Sequence, residues 1–582
     1  MVNRMKFPFL SRRLALLGLF LALWPLASCR TGSQPVASPN RLASTERTLG
    51  KRGDALTIRV ASPPQTFNYL KAADEPSVIV AFYLMGGRLA EFNHETGKYA
   101  PGLAESWKWA GDGRTLEVSL REGAKFSDGQ PLTAEDVAFT FRALYDKRTA
   151  SPVFHDAMLI GGQEIKVTVV DTWHLRFIFP EPVVTPENYL SNLAVLPRHV
   201  LEAEFNQGRL GDAYQLNSDP QRIVSAGAFT AGTAVPGERV TLKRNPHYWK
   251  KDSAGTPLPY LDELVIEIVP DVNNAVARLK QGSLDLCDRI RPGDYAALRF
   301  QAGSAQAVDA GPGLATDHMW FNLNTNVNPI KFAWFSDARF RRAISHAVDR
   351  QTLASVTLQG LATPLRGFIS PGNRAWYAQD LPATEYDLER AKALLKEAGF
   401  ALRGAELFDA KGNRVELTLI VPVESQPRVQ MATVVQEDLT KLGIKLQLAP
   451  IEFGELTRRV SQSFDYDAAL LGTSPSEPDP SAYANVLRSS SPFNQWHPKQ
   501  AKPASAWEAR IDELIALQGH EADPKRRYAL FHEIQQLLAE QLPVIPIVSR
   551  HLASASNQRV GNHRPSTMLP YSLWNAEELF VR

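Results

Sequence analysis

The sequence predicts a large multidomain protein of the α/β or α+β class. Three observations carry that reading. Segments that alternate apolar with polar residues recur between segments with an apolar stripe at helical spacing. One stretch, Val415 to Leu448, reads as a complete strand–helix–strand unit. The chain has 582 residues, of which 44% are hydrophobic, and single cores stop growing at around 250–300 residues.

The N-terminus stands apart from this pattern. Arg4, Lys6, Arg12 and Arg13 precede an apolar run from Leu14 to Leu26, broken by Gly18 and Pro25. Leu26-Ala27-Ser28-Cys29 follows. A basic stretch, a short apolar stretch and small residues read as an export signal over residues 1–28. The apolar run is too short for a membrane span. A cysteine directly after Ala-Ser resembles a bacterial lipobox, which implies cleavage before Cys29 and lipid on its thiol. The alternative is an ordinary cleaved signal with an incidental cysteine. Ser11-Arg12-Arg13 only weakly resembles a twin-arginine signal, so the general export route is favoured. Arg30, rather than an acid, follows the cysteine and gives no signal for inner-membrane retention.

Cleavage removes four positive charges and no negative ones, so +2 becomes −2. A near-neutral mature chain is no nucleic-acid binder by bulk electrostatics. Cys287 is the second of two cysteines, so lipid on Cys29 excludes an intrachain disulfide. Burial is expected for Cys287, with redox chemistry the alternative. Residues 29–53 carry no apolar periodicity and read as a flexible tether.

The ordered elements begin at Leu56–Val60, a strand by alternation. Leu116–Arg121 is a half-buried strand, and a turn follows at Asp128–Pro131. Thr133 with Asp136 three residues on then caps a helix bearing Val137, Phe141 and Leu144 on one face. Val167–Val169 and Leu175–Phe179 form a hairpin around Asp171-Thr172. Arg239–Arg244 and Leu264–Val269 are strands, Asp271 caps the next helix, Gly282 ends it, and Leu284–Leu286 resumes a strand. Val415–Ile420, a helix over Val429–Leu442 and Ile444–Leu448 predict parallel neighbouring strands with a right-handed crossover. Asp523-Pro524 starts the last long helix. Pro543 and Pro546 then bracket a short strand, Val544-Ile545, expected to be a stiff strap.

Enzyme signatures fail where they can be checked. His520-Glu521 and His532-Glu533 do not complete His-Glu-x-x-His. There is no Cys-x-x-Cys, no Gly-x-Ser-x-Gly and no phosphate loop. Triads are spatial, so these absences lower the prior for an enzyme without excluding one.

Several long motifs are specific. Pro101–Trp107, Asp112–Thr115, Leu120–Gly129 and Leu132–Val137 together resemble the signature region of the family 5 extracellular solute-binding proteins, the peptide-binding components of ABC importers. Phe67-Asn68, Ala277–Asp285, Phe321-Asn322, Phe335–Arg350 and Tyr386–Phe400 resemble further segments in order. Each also has a structural reading. Arg339, Arg341 and Arg342 on a helix face away from its buried stripe, toward solvent or acids such as Asp337.

The resemblance implies a two-lobed periplasmic-binding-protein-like fold (type II, cluster C-like) with an inserted extra domain and hinge closure over a central cleft. It implies a discontinuous lobe I from residues 54–88, 208–310 and 545–582, an inserted domain at 89–207 and lobe II at 311–544. Crossings are expected near Asp317–Asn322 and Leu542–Pro546. The implied function is an extracytoplasmic, membrane-tethered binding lipoprotein, not an enzyme, with no cofactor and no metal. It captures short peptides as a monomer and delivers them to ABC permease subunits, with the ATPase subunits engaged indirectly. An oligosaccharide or other solute is the alternative cargo; a secreted hydrolase or an adhesion lipoprotein is the rival class.

In peptide-binding members a loop aspartate pairs with the peptide amino group. The matching loop here is Leu470–Pro480, which places Ser476 where that aspartate is expected and Thr473 where a tryptophan is expected. Glu477 is then either the substitute ion-pair partner or a solvated surface carboxylate. Trp320, Trp496, Phe67 and Tyr83 are candidate aromatic contacts, or core. Asn322 and Asn324 offer donors and acceptors at the cleft, with Asn68 beside Phe67; the alternative for Asn324 is closure of a turn.

Overall fold

The computed structural model describes residues 47–582 apart from 152, 301, 302, 304, 325–327 and 476. The export signal, Cys29 and the tether before residue 47 lie outside the described residues, as does Ser476. The fold takes hold before the expected start. Thr48 donates to Asn562 Oδ1 at 3.1 Å, and the Gly53 N–H donates to the Tyr260 carbonyl at 2.9 Å. Among the described residues no helix is long and apolar enough to cross a membrane.

One large mixed sheet organises the chain, with twelve strands labelled here β1 to β12. They are β1 (Ala55–Val60), β2 (Phe229–Val235), β3 (Arg239–Arg244), β4 (Glu263–Ile268), β5 (Leu286–Asp288) and β6 (Ala305–Pro312). Then come β7 (Thr316–Phe321), β8 (Ala362–Pro364), β9 (Glu416–Pro422), β10 (Lys445–Ile451), β11 (Ala468–Thr473) and β12 (Val544–Asn557). The order across the sheet is β2-β3-β4-β1-β5-β12-β7-β11-β9-β10, with β6 and β8 also paired to β12. The βαβ unit stands as expected. β9 and β10 are parallel from Glu416↔Lys445 to Pro422↔Ile451, joined by the helix Gln426–Thr440.

β12 differs from expectation. In place of a two-residue strap, it runs fourteen residues straight through Pro546. Its first half pairs β7 and β8, and its second half pairs β5 and β6. Proline survives there because the β7–β12 register shifts between Asp317 and His318, and an irregularity tolerates the missing N–H. The free Pro546 carbonyl accepts Arg350 Nε at 2.7 Å.

Arg341 also departs from expectation. It is buried, and its guanidinium donates to the carbonyls of Phe335, Gln541 and Leu542. It closes the carbonyl ends of two helices, Pro329–Ser336 and Pro524–Gln541, where a cation is favoured. Arg339 pairs with Asp337 as read from the sequence.

Local signals placed the helix ends. Asp271 accepts from the Asn274 N–H, and Gly282 ends that helix at φ +78°, a left-handed position that glycine enters without steric cost. Asp523 caps Pro524–Gln541 by accepting from the Arg526 N–H. Asp136 accepts from both the backbone and the hydroxyl of Thr133 at 2.9 Å. The helix so started, Ala134–Tyr145, belongs to a smaller core with the antiparallel sheet of Ala104–Trp109, Thr115–Leu120, His174–Ile178 and Lys166–Val169. Val137, Phe141 and Leu144 are buried in it, each contributing about 1.5–3 kcal/mol. Two further cores flank the large sheet, one around Leu56, Ile58, Leu264 and Ile266, the other around Phe321, Phe335, Phe340, Leu417 and Leu419. Cys287 is buried in the middle strand β5, and desolvation pushes its thiol up to about 12. It stays protonated and unreactive.

Candidate ligand-binding site

The strand directions set two edges against each other. β1, β4 and β5 run parallel, and Asp288 at the C-terminal end of β5 sits opposite Ser554 of β12. β9 and β11 run parallel, and β7 enters antiparallel beside β11, with Asp317 opposite Val548 of β12. Both edges therefore face the middle of β12, near Arg550. Loops that carry ligand contacts in open α/β sheets leave from the C-terminal strand ends. Here those are the loops after β1, β4 and β5 on one half, and after β9 and β11 on the other.

The loop after β11 is built tightly. Gly472 must be glycine, because a Cβ there would lie 1.6 Å from the Thr316 carbonyl oxygen. The Thr473 and Thr316 hydroxyls pair at 2.8 Å, so Thr473 fastens β11 to β7. Asp479 forms two 2.7 Å bonds with Arg527, whose side chain is 3% exposed. Asn373 Nδ2 donates to the Pro478 carbonyl at 2.8 Å, and the Arg527 guanidinium lies 5.1 Å from the Trp376 ring centroid.

Glu477 sits between these anchors and Tyr99, Asn188 and Tyr189. It is half-buried, and its carboxyl is raised by burial and by the Asp479 charge. The Asn188 amide and Arg527 oppose that rise. Asn188 accepts from Tyr99 Oη at 3.3 Å and Asn192 Nδ2 at 3.2 Å through its Oδ1, which leaves its NH₂ for Glu477. Tyr99 and Tyr189 both feel the Glu477 and Asp479 charges, and burial with those charges pushes Tyr189 up to about 12. Among the described residues no cation lies within ion-pair distance of Glu477.

The other candidates are placed elsewhere. Phe67 is core, and Asn68 donates to the Leu210 and Ala213 carbonyls. Trp320 is 2% exposed and donates to Tyr466 Oη; Trp496 is 1% exposed and donates to Glu508 Oε1 at 2.9 Å. Asn322 donates to the Phe464 and Tyr466 carbonyls and accepts from the Asn324 N–H. Tyr83 is half-buried under the Arg88 guanidinium, at 5.1 Å. Thr473 and Glu477 share the β11 loop, the Thr473 hydroxyl being spent on Thr316; Phe67, Asn68, Trp320, Trp496, Asn322 and Asn324 take packing or turn roles, and Tyr83 lines a cavity with Arg88, Glu91 and Trp249. Sequence reasoning missed Tyr99, Asn188 and Tyr189, which no linear motif marks.

A family model matches the chain over residues 98–495: bacterial extracellular solute-binding proteins, family 5. The chain belongs to this family. It is 32% identical over 427 residues to a probable ABC transporter-binding protein of Deinococcus radiodurans, covering 70% of this chain and 71% of that one. It is 26% identical to di/tripeptide-binding protein 2 of Pseudomonas aeruginosa, covering 88% and 93%. The oligopeptide-binding protein AppA of Bacillus subtilis, solved with a nonapeptide, shares the fold at a TM-score of 0.63 and 24% identity, covering 92% and 100%. This family 5 protein is accordingly a two-lobed, mixed α/β substrate-binding protein of an ABC transporter, extracytoplasmic and not an enzyme.

Proposed function

We propose that this family 5 protein captures short peptides at the cleft, holds their amino end on Glu477, and delivers them to an ABC permease while anchored by lipid on Cys29. One observation carries the peptide reading: Glu477 is a half-buried carboxylate walled by Tyr99, Asn188 and Tyr189, with no cation in ion-pair reach among the described residues. Such a carboxylate suits an incoming ammonium. The peptide-binding relatives support the same cargo. A saccharide is less well served, because Trp320 and Trp496, its candidate stacking faces, are buried. The strand pairing supports lobe I at 54–88, 208–310 and 545–582, an insert at 89–207 and lobe II at 311–544, with β12 spanning the boundary.

The test is calorimetry with trialanine and its N-acetyl form. Acetylation is expected to weaken binding at least tenfold, and Glu477→Gln to lose as much and to stop discriminating between the two. Tight binding of trialanine unchanged by Glu477→Gln refutes the assignment. Mass spectrometry of co-purifying solute checks the cargo class directly. For the anchor, Cys29→Ser is expected to move the protein from the membrane to the soluble fraction without altering its melting curve. Unchanged membrane retention argues against lipid on Cys29.

A further inference from the structure

Two residues in contact with each other hold backbone conformations that their side chains disfavour. Arg289 directly follows β5, and Tyr571 lies in the C-terminal stretch after β12. Both sit at φ +57°, in the left-handed region that few residues other than glycine, asparagine and aspartate enter. Their chain neighbours hold them there. The buried Asp288 carboxylate accepts from the Ser572 N–H at 3.2 Å and from its hydroxyl at 2.5 Å. Backbone strain held in place by buried bonds beside it points to a functional position.

The side chains aimed in this way form a flat surface. Both terminal nitrogens of Arg289 donate to Glu75, in the stretch after β1, with Nη1 reaching Oε2 at 3.1 Å. Tyr571 Oη donates to the same Oε2 at 3.3 Å. The Arg289 guanidinium lies over the Tyr571 ring, 4.9 Å from its centroid. One edge of the guanidinium is therefore bonded, and one face rests on a ring. The Arg289 side chain is nonetheless 45% exposed, so its opposite face is open. Arg289 and Glu75 follow β5 and β1, strand ends from which ligand contacts leave in open α/β sheets. A surface ion pair would account for the Arg289–Glu75 bonds. It does not account for two left-handed residues stacked on each other, because an exposed pair needs no strain to form.

We propose that Arg289, clamped by Glu75 and backed by Tyr571, is a stacking platform in the cleft for a planar aromatic group of the bound solute. Arg289 and Glu75 neutralise each other, so the platform reads a ring and not a charge. The site deepens the peptide reading above and rests on it: the favoured peptides carry an aromatic side chain that lies over Arg289. A planar guanidinium stacks on ring faces, and fixing its plane beforehand lowers the ordering cost of binding.

The test measures binding of trialanine, Phe-Ala-Ala, Ala-Phe-Ala and Ala-Ala-Phe to the full mature chain by calorimetry. Peptides with cyclohexylalanine in place of phenylalanine are the saturated controls. The wild type is expected to bind at least one phenylalanine peptide about 3–30-fold tighter than trialanine, the span of an arginine–ring contact from exposed to desolvated. The cyclohexyl counterpart is expected to bind more weakly than the phenylalanine form. Arg289→Asn is expected to remove the aromatic preference and to leave trialanine binding little changed. Asparagine tolerates the left-handed backbone, so this variant is expected to melt no lower than the wild type. The preference ratio decides, since a loosened fold weakens all the peptides alike. If Arg289→Asn does not fold, Arg289→Lys, which keeps the charge without the plane, is read by the same ratio and is expected to lose most of it. A wild type with no aromatic preference, or a variant that keeps the preference in full, overturns the proposal. If no tripeptide binds the wild type, the peptide reading falls, and N-acetyl-phenylalaninamide against N-acetyl-alaninamide decides the platform alone, because neither probe carries a charged end. Thermal protection by the aromatic probe that disappears in the variant supports the platform, and an equal response of wild type and variant overturns it.

Discussion

Replacing Arg527 with methionine is expected to destabilise the protein by about 3–5 kcal/mol, the cost of leaving a buried charge without its partner. The residue left behind is Asp479, which takes two 2.7 Å bonds from Arg527 and also caps Pro480–Tyr483 through the Ser481 N–H. Arg527 further donates to the Gln518 carbonyl and lies over the Trp376 ring. Glu477 is two residues away and already raised in part by the Asp479 charge. With Arg527 gone, two carboxylates face each other with no cation between them, so Glu477 is expected to rise further. Peptide binding near neutral pH should weaken along with stability. The double variant Arg527→Met/Asp479→Leu is expected to recover most of the stability, since an apolar pair carries no unpaired charge. Denaturant unfolding followed by tryptophan fluorescence reads both variants. A single variant that unfolds at the wild-type midpoint would show that the pair contributes little.

Acidification is expected to have a comparable effect. His318 and His563 are buried, and desolvation holds both rings down at about 4 against 6.5 for the free side chain. A lowered folded-state value means that the unfolded chain binds a proton which the folded chain refuses. The stability concerned is complete above pH 6.5 and is lost as the pH falls toward 4. The interval corresponds to about 3 kcal/mol for each ring. Around His318, Asp317 works against the lowering and Arg428 adds to it. Near His563, Asp288 acts in the opposite sense. Burial raises its carboxyl, so its contribution is present at low pH and fades as the pH rises through its folded value. Unfolding midpoints at pH 7 and pH 4.5 measure the sum. His318→Asn and His563→Asn are each expected to flatten the dependence between pH 6.5 and 4. Identical slopes in all three proteins would remove burial of these rings as the cause.

What could be read from the sequence was what short-range physics decides. The caps at Asp271, Asp523 and Thr133, the glycine stop at Gly282 and the βαβ unit at Val415–Leu448 all depend on residues within a few turns of each other. Pro546 misled because proline ends an isolated strand, while a register shift against β7 lets this one continue. Arg341 misled because helical spacing cannot show that two other helices end over it. The site was legible in part. The β11 loop is marked by its motif, but Tyr99, Asn188 and Tyr189 reach it from a stretch of chain nearly 300 residues or more away in sequence. Trp320 and Trp496 show the converse limit. Trp496, in a loop rich in breakers, and Trp320, at an expected crossing between lobes, both look available, yet each indole N–H has a buried partner and the ring packs inside.

β12 has a bearing on biosynthesis. It is the last of the twelve strands to be synthesised, and β5, β6, β7 and β8 all take hydrogen bonds from it. A nascent chain that has reached Gln541 carries eleven strands of the sheet with no strand to join the two halves. Sheets assembled from such distant pairings fold slowly, because loop closure must precede the contacts that reward it. The large sheet therefore cannot close until the last stretch of the polypeptide has left the ribosome, however early its separate cores form.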